Sequence, residues 1–521
     1  MKSIHCKMAA AIAVAAALAM GASAYAEDGG EPVRGGTLTV LEVLEPDTLD
    51  PLFGDQVTND RTIYNQFYET LVRVLPDGSV EPLLAESYDI DETAGTITFH
   101  LRSGVTFHDG EPLDAAAVVA NLKRLIDPEV KSPKAREFTQ VKSIEAADAD
   151  TVVITLAEYA PAVLSSLAHD PGLIVSPKAL EQQGADYGKT DAVGTGPFTF
   201  VRWERGQFIE SARNENYWRD DAKGEQLPYL DGVTTKFMIE NAARVNEMRA
   251  GTADFAVQIE GRDVAPLDAE EDLVARPSPV VYVQVSQLGN INGVMKDERL
   301  RKAYSLSIDR AALAAAVLPP GEEPVIVALP ITDKWWVYNS DVGGAPAYDP
   351  EQAKKLMAEA GHPDGFTMKM TIANREPDKQ IAQLMQAMLA ENGITMEIEI
   401  VTRDAFVERV VVTRDFDVSQ GNIGTPRYDP TQVFDYFLTC NGAVSLTCDP
   451  ALDEIIARAG AAADPAERKA IYDEAQAYAV EHVLLTGLFA RPATGMVRTN
   501  VHGIEDDVDG PLRFGEAWKS E

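Results

Sequence analysis

The chain has 521 residues, 45% of them apolar and 25% charged, a globular composition that excludes collagenous, low-complexity and disulfide-scaffold proteins. Its 82 Asp and Glu outnumber 46 Lys and Arg, giving a formal net charge of -36. A body this acidic is repelled by phosphate backbones and anionic lipid, which argues against nucleic-acid binding and against a polybasic membrane surface.

The chain opens on a segment outside the fold. Lys2 and Lys7 flank the start of an apolar run from Met8 to Met20, and Ala24-Tyr25-Ala26 is a small-x-small cleavage site, so residues 1–26 read as a secretory signal peptide. The run is shorter than the roughly 20 residues that span a bilayer. Cys6 precedes it, whereas a lipoprotein signal carries its Cys at the end, so the mature chain is expected free in solution. Loss of Lys2 and Lys7 moves the net charge from -36 to -38.

Further on, Thr96–Leu101 alternates with Ile97, Phe99 and Leu101 on one face, and Thr151–Leu156 alternates in the same way; both predict strands. Between them, Asp114–Ile126 predicts a helix with Val118, Leu122 and Leu125 inward. Gly194-Thr195-Gly196 resembles the start of a dinucleotide fingerprint, but Pro197 follows and Thr199 stands where the third glycine belongs. A tight turn before a strand at Phe198 is the better reading. Asp349 caps a helix over Pro350–Ala360 that ends at Gly361, and Asp464-Pro465 opens another helix in the same way. Ile381, Leu384, Met385, Met388 and Leu389 form a helical stripe ending at Gly393; then Ile394, Met396, Ile398 and Ile400 alternate as a half-buried strand. Strands interleaved with helices along almost the whole chain predict an α/β protein with mixed β-sheets.

Export governs the remaining cysteines, Cys440 and Cys448. An oxidising compartment favours a disulfide between them, with two reduced core thiols as the alternative. The seven histidines show no spacing that would complete a metal site. Glu505-x-Asp507-x-Asp509-Gly510 with Glu516 approaches a calcium loop, yet Glu replaces Asp at the first position and Pro511 stiffens the next step, so an acidic surface turn is expected. There is no His-Glu-x-x-His, no Gly-x-Ser-x-Gly and no phosphate-binding loop. No cofactor is implied, and the chain does not read as an enzyme.

Several segments in order resemble the solute-binding proteins of peptide, opine and nickel ABC importers, solute-binding protein family 5. They are Arg34-Gly35-Gly36-Thr37-Leu38, Glu45-Pro46-Asp47-Thr48-Leu49-Asp50-Pro51, Tyr68-Glu69-Thr70-Leu71, Leu84-Ala85-Glu86-Ser87-Tyr88, Thr98 through Gly110, Gly194 through Phe198, Asn216-Tyr217-Trp218, Arg299 through Ala303, Ile308-Asp309-Arg310 and Tyr348-Asp349-Pro350. Read bottom-up, these are mostly strand residues, turn glycines and caps. The resemblance implies a class II periplasmic binding protein of the large three-subdomain type, a two-lobed clamshell. Lobe 1 would comprise 27–67, 188–285 and 488–521, with an extra subdomain at 68–187, and lobe 2 would comprise 286–487. It implies a monomer that captures a small organic solute (peptide, opine or sugar-phosphate-like) by domain closure and delivers it to an inner-membrane ABC permease. A secreted hydrolase or peptide chaperone on the same scaffold is the alternative.

In peptide-binding members, a carboxylate shortly before an Asp-Pro pairs with the ligand amine. Here Phe416-Asp417-Val418 leads through Asn422 to Thr425-Pro426-Arg427-Tyr428-Asp429-Pro430, so that acid is absent and Arg427 brings a fixed positive charge. Arg427 is suited to gripping a carboxylate or phosphate bidentately, or to pairing with surface acids. Asp429 is suited to capping the next helix. Asn422, Tyr428 and His169 occupy segments that approach the cleft in relatives. Trp335 and Trp336, with Tyr338, form an aromatic cluster suited to stacking on a ligand or to interlobe packing.

Overall fold

The computed structural model describes residues 30–520 except 55–56, 290, 292, 320–321, 323, 343, 426, 428 and 443–446. Residues 1–26 and Tyr428 therefore lie outside the described residues. No described helix is long and apolar enough to cross a membrane.

The fold is organised by two long antiparallel strands, Leu273–Leu288 and Leu485–Arg498. They run through the middle of an 11-stranded mixed sheet and belong to both lobes. At one end, Leu273–Pro277 pairs with Thr494–Arg498, whose outer side meets the short strand Phe255–Ala256. That strand continues into Thr37–Glu42, Gly232–Phe237, Phe208–Arg213 and Phe198–Glu204. At the other end, Val281–Leu288 pairs with Leu485–Pro492 and with Val418–Thr425. From there the sheet continues in parallel through Phe366–Ala373 and Ile394–Val401. The register slips between Pro277 and Val281. Pro277, Pro279 and Pro492 lack an N–H, so the ladder weakens at the crossing point, where a hinge needs it weak.

Local sequence explains the elements around this axis. Asp114 Oδ1 accepts from Ala117 N at 2.8 Å and starts the helix Ala115–Ile126, which covers the four-stranded sheet holding Thr96–Leu101 and Thr151–Leu156. Asp349 Oδ1 caps Pro350–Glu359 at 2.9 Å, and Asp464 Oδ1 caps Pro465–Glu481 at 2.8 Å. Beneath Asp378–Glu391, Ile381, Met385 and Leu389 are fully buried, each worth about 1.5–3 kcal/mol of transfer free energy. Gly194 and Gly196 lie where a β-carbon would overlap the Phe67 backbone, so the turn before Phe198 is a close-approach site.

Two expectations need correction. The alternation ending at Ile400 is incomplete: Ile394 and Met396 are buried but Ile400 is 48% exposed, because its strand is the sheet edge. The acidic segment 505–510 is not a surface turn. Asp509 is buried against His169, Asp507 accepts from Arg513 at 2.5 Å and from Asn65 at 3.1 Å, and Asp506 holds Arg276. Protein cations fill the place a metal would take, and no group of metal-ligating side chains occurs among the described residues.

Candidate functional site

Where the hinge strands break, a small cavity of about 40 Å³ is lined by Glu42, Phe255, Gln258, Arg276, Val280 and Tyr282 among others. Glu42 ends the first strand of the main sheet and is buried; loss of hydration pushes its carboxyl up to about 8, so it is mostly protonated at neutral pH. Tyr282 Oη is bonded to Gln258 Nε2 at 3.1 Å. The Tyr282 phenol titrates above its ordinary range because it is buried, and the nearby guanidiniums of Arg491 and Arg427 oppose that rise.

The cleft arginines fall into two groups. Arg276 is matched by Asp506 at 2.6 and 3.0 Å, Arg375 by Asp378, and Arg244 by the carbonyls of Met238, Ile239 and Gln258 at 2.6–2.9 Å. Arg427 and Arg491 have no carboxylate within ion-pair distance among the described residues. Arg427 Nε donates only to Gly424 O at 2.9 Å, and Arg491 lies over the Tyr282 ring at 5.8 Å. Both flank the same phenol, one from the loop after Val418–Thr425 and one from the second hinge strand.

The other expected residues are distributed differently. Asn422 is on the same sheet face as Tyr282 and accepts from Arg375 Nη2 at 3.4 Å. Trp335 is buried in the lobe 2 core. Trp336 packs on Gly78, where a β-carbon would overlap its indole, so it joins lobe 2 to the extra subdomain. His169 is buried with Nε2 on Asp509 and Nδ1 3.6 Å from Asp170, a lattice that also holds Arg61 and Lys134. Cys440 and Cys448 are joined by a disulfide. Residues not anticipated from sequence are Arg491, Tyr282, Arg375 and Glu42. For Arg491 a signal existed, a lone cation closing the apolar run Leu484 to Ala490 just before Pro492.

Side chains from segments far apart in the chain also meet. Besides Trp336 on Gly78, Arg136 of the extra subdomain lies 5.0 Å from the Tyr436 ring of lobe 2, and the Glu322 side chain of lobe 2 sits against Gly261, the first residue of the lobe 1 helix Gly261–Asp268. A carboxylate at a helix N-terminus is favoured by the helix dipole.

Two lobes joined by continuous strands form the clamshell of a periplasmic binding protein. A binding protein in complex with agropinic acid, from A. tumefacien R10, superposes with a TM-score of 0.77 at 26% identity, over 93% of this chain and 99% of that one. The Helicobacter pylori ABC transporter-associated protein DppA, in complex with the peptide STSA, superposes with a TM-score of 0.78 at 23% identity, over 94% and 99%. These likenesses define the fold, that of the periplasmic binding proteins.

The description "Bacterial extracellular solute-binding proteins, family 5 Middle" matches residues 79–445, and the chain belongs to that family. A glutathione-binding protein, GsiB of Pectobacterium atrosepticum, is 30% identical over 356 residues, 67% of this chain. The chain spans 66% of that relative's length, just under two thirds. These relatives are binding proteins of transporters, which does not favour the hydrolase or chaperone alternative.

Proposed function

We propose that the mature chain is a periplasmic, monomeric solute receptor that captures a small organic solute in the interlobe cleft and hands it to an inner-membrane ABC permease. Residues 1–26 act as the export signal in this reading. The division into lobe 1, the extra subdomain and lobe 2 is retained, with the crossings at 285–286 and 487–488 and the register slip at Pro277–Val281 on their lobe 1 side. The observation that supports the reading is the pair of continuous strands shared by the lobes, with Arg427 near Tyr282 as a cation that no described carboxylate pairs with. The agropinic-acid and glutathione relatives support a carboxylate-bearing cargo of peptide or opine type. No bond is made or broken: the ligand shifts the open–closed equilibrium by its greater affinity for the closed form.

Thermal unfolding of the mature protein with mannopinic acid, glutathione and trialanine tests this reading. A ligand at 100 times its Kd should stabilise by about 2.7 kcal/mol and raise Tm with no product formed. Turnover of any of these solutes would contradict it.

A further inference from the structure

Among the cleft cations, Arg491 is the one whose chemistry is left open. Its Nε is buried with no hydrogen-bond partner among the described residues. It sits opposite Tyr282 across the two hinge strands and feels the charges of Glu322 and Asp378, neither within ion-pair distance of it, and Asp378 is held by Arg375. A guanidinium presents five donors and cannot shed its charge, so on this half-buried residue the buried Nε lacks a partner that an anion would supply.

We propose that Arg491 is a specificity-determining residue that acts with Arg427, one on each side of Tyr282, to grip two acid groups of a single ligand; the cargo is a small organic diacid. This rests on the reading of the interlobe cleft as the solute site. Arg491 is on a hinge strand and Arg427 on a lobe 2 loop, so a ligand bridging them ties the hinge to the moving lobe. A monoacid or neutral solute leaves one guanidinium unmatched and holds the closed state less well. The Tyr282 ring between them separates the two positive charges and offers a face to the ligand's carbon skeleton.

The test is isothermal titration of the mature protein with mannopinic acid, glutathione, citrate and the methyl esters of the first two, repeated on Arg491→Met, Arg491→Lys and Arg427→Met. At least one acid should bind the unsubstituted protein and its ester should not. Each Met variant should then weaken that acid by about 10- to 100-fold, with Arg491→Lys in between. Unliganded Arg491→Met should melt close to the unsubstituted protein, because only a long contact over the Tyr282 ring and no ion pair is lost; a purely structural Arg491 would instead lower Tm clearly and leave affinity unchanged. Equal binding of an ester and its acid, undiminished binding by Arg491→Met, or no binding of any of the acids overturns the diacid inference. If trialanine still binds in those cases, solute capture stands; if the solutes are consumed, capture falls as well.

Discussion

Glu42 illustrates how one buried group couples the site to pH. Its carboxyl titrates at about 8 in the fold against an ordinary 4.5, chiefly because burial removes its hydration. The folded state thus holds a proton that the unfolded chain releases, and stability on this account is fully present below pH 4.5 and declines as pH rises to 8. Glu42→Gln should leave Tm unchanged at pH 4 and raise it at pH 9, with a ceiling of about 5 kcal/mol at roughly 1.4 kcal/mol per pKa unit; an equal effect at both pH values would refute the assignment. Asp429 is the opposite case. It receives Thr431 N at 2.9 Å, as a helix cap should, and also Arg468 at 2.8 and 3.0 Å. Replacement by Asn strands a buried guanidinium and should cost about 3–5 kcal/mol in urea unfolding, far more than the ~1 kcal/mol of a cap alone. The capping role was legible from the Asp-Pro that follows, whereas the Arg468 partner lies 39 residues away and carries no local signal. Arg427 stood out because a family acid is missing there; Arg491 did not, because its meaning depends on a cross-strand neighbour.

At the level of elements, capped helices were the most readable parts, since Asp114, Asp349 and Asp464 announce their helices within four residues. The hinge strand Leu273–Leu288 was the least readable. Pro277 and Pro279 look like strand breakers, and only the paired strand shows that they mark a register slip inside one continuous element. Trp336 was open to two readings, ligand stacking or interlobe packing, and its contact with Gly78 gives the second. Gly78 has φ +82 and faces the indole, so Gly78→Ala combines backbone strain of about 1–2 kcal/mol with a steric overlap that exists only when the lobes are closed. We expect Gly78→Ala and Trp336→Ala each to weaken ligand binding by about 3- to 10-fold, with no change in the order of ligand preference, and to enlarge the radius of gyration of the liganded protein in small-angle scattering. A ligand-stacking Trp336 would instead give a large loss for Trp336→Ala alone.

Across the whole molecule, the acidity and the cleft oppose each other. The chain carries -36 while two arginines beside Tyr282, Arg427 and Arg491, have no ion-paired carboxylate among the described residues, so an anionic solute must cross a repulsive field to reach them. Association should therefore quicken as salt rises from 10 to 100 mM and the screening length falls from about 30 Å to about 10 Å, which stopped-flow tryptophan fluorescence would follow. A rate that falls with salt would mean that the cleft field dominates at long range. The two-lobed plan itself was legible from ordered motifs spread over the chain, but the placement of the arginines around Tyr282 arises only where strands from distant segments meet. The most direct test of the central claim is mass spectrometry of the solute released by denaturation from mature protein purified from the periplasm. The account predicts a small organic molecule with two acid groups, present in the unsubstituted protein and depleted in Arg491→Met. A neutral or cationic solute, retained equally by both, would contradict it.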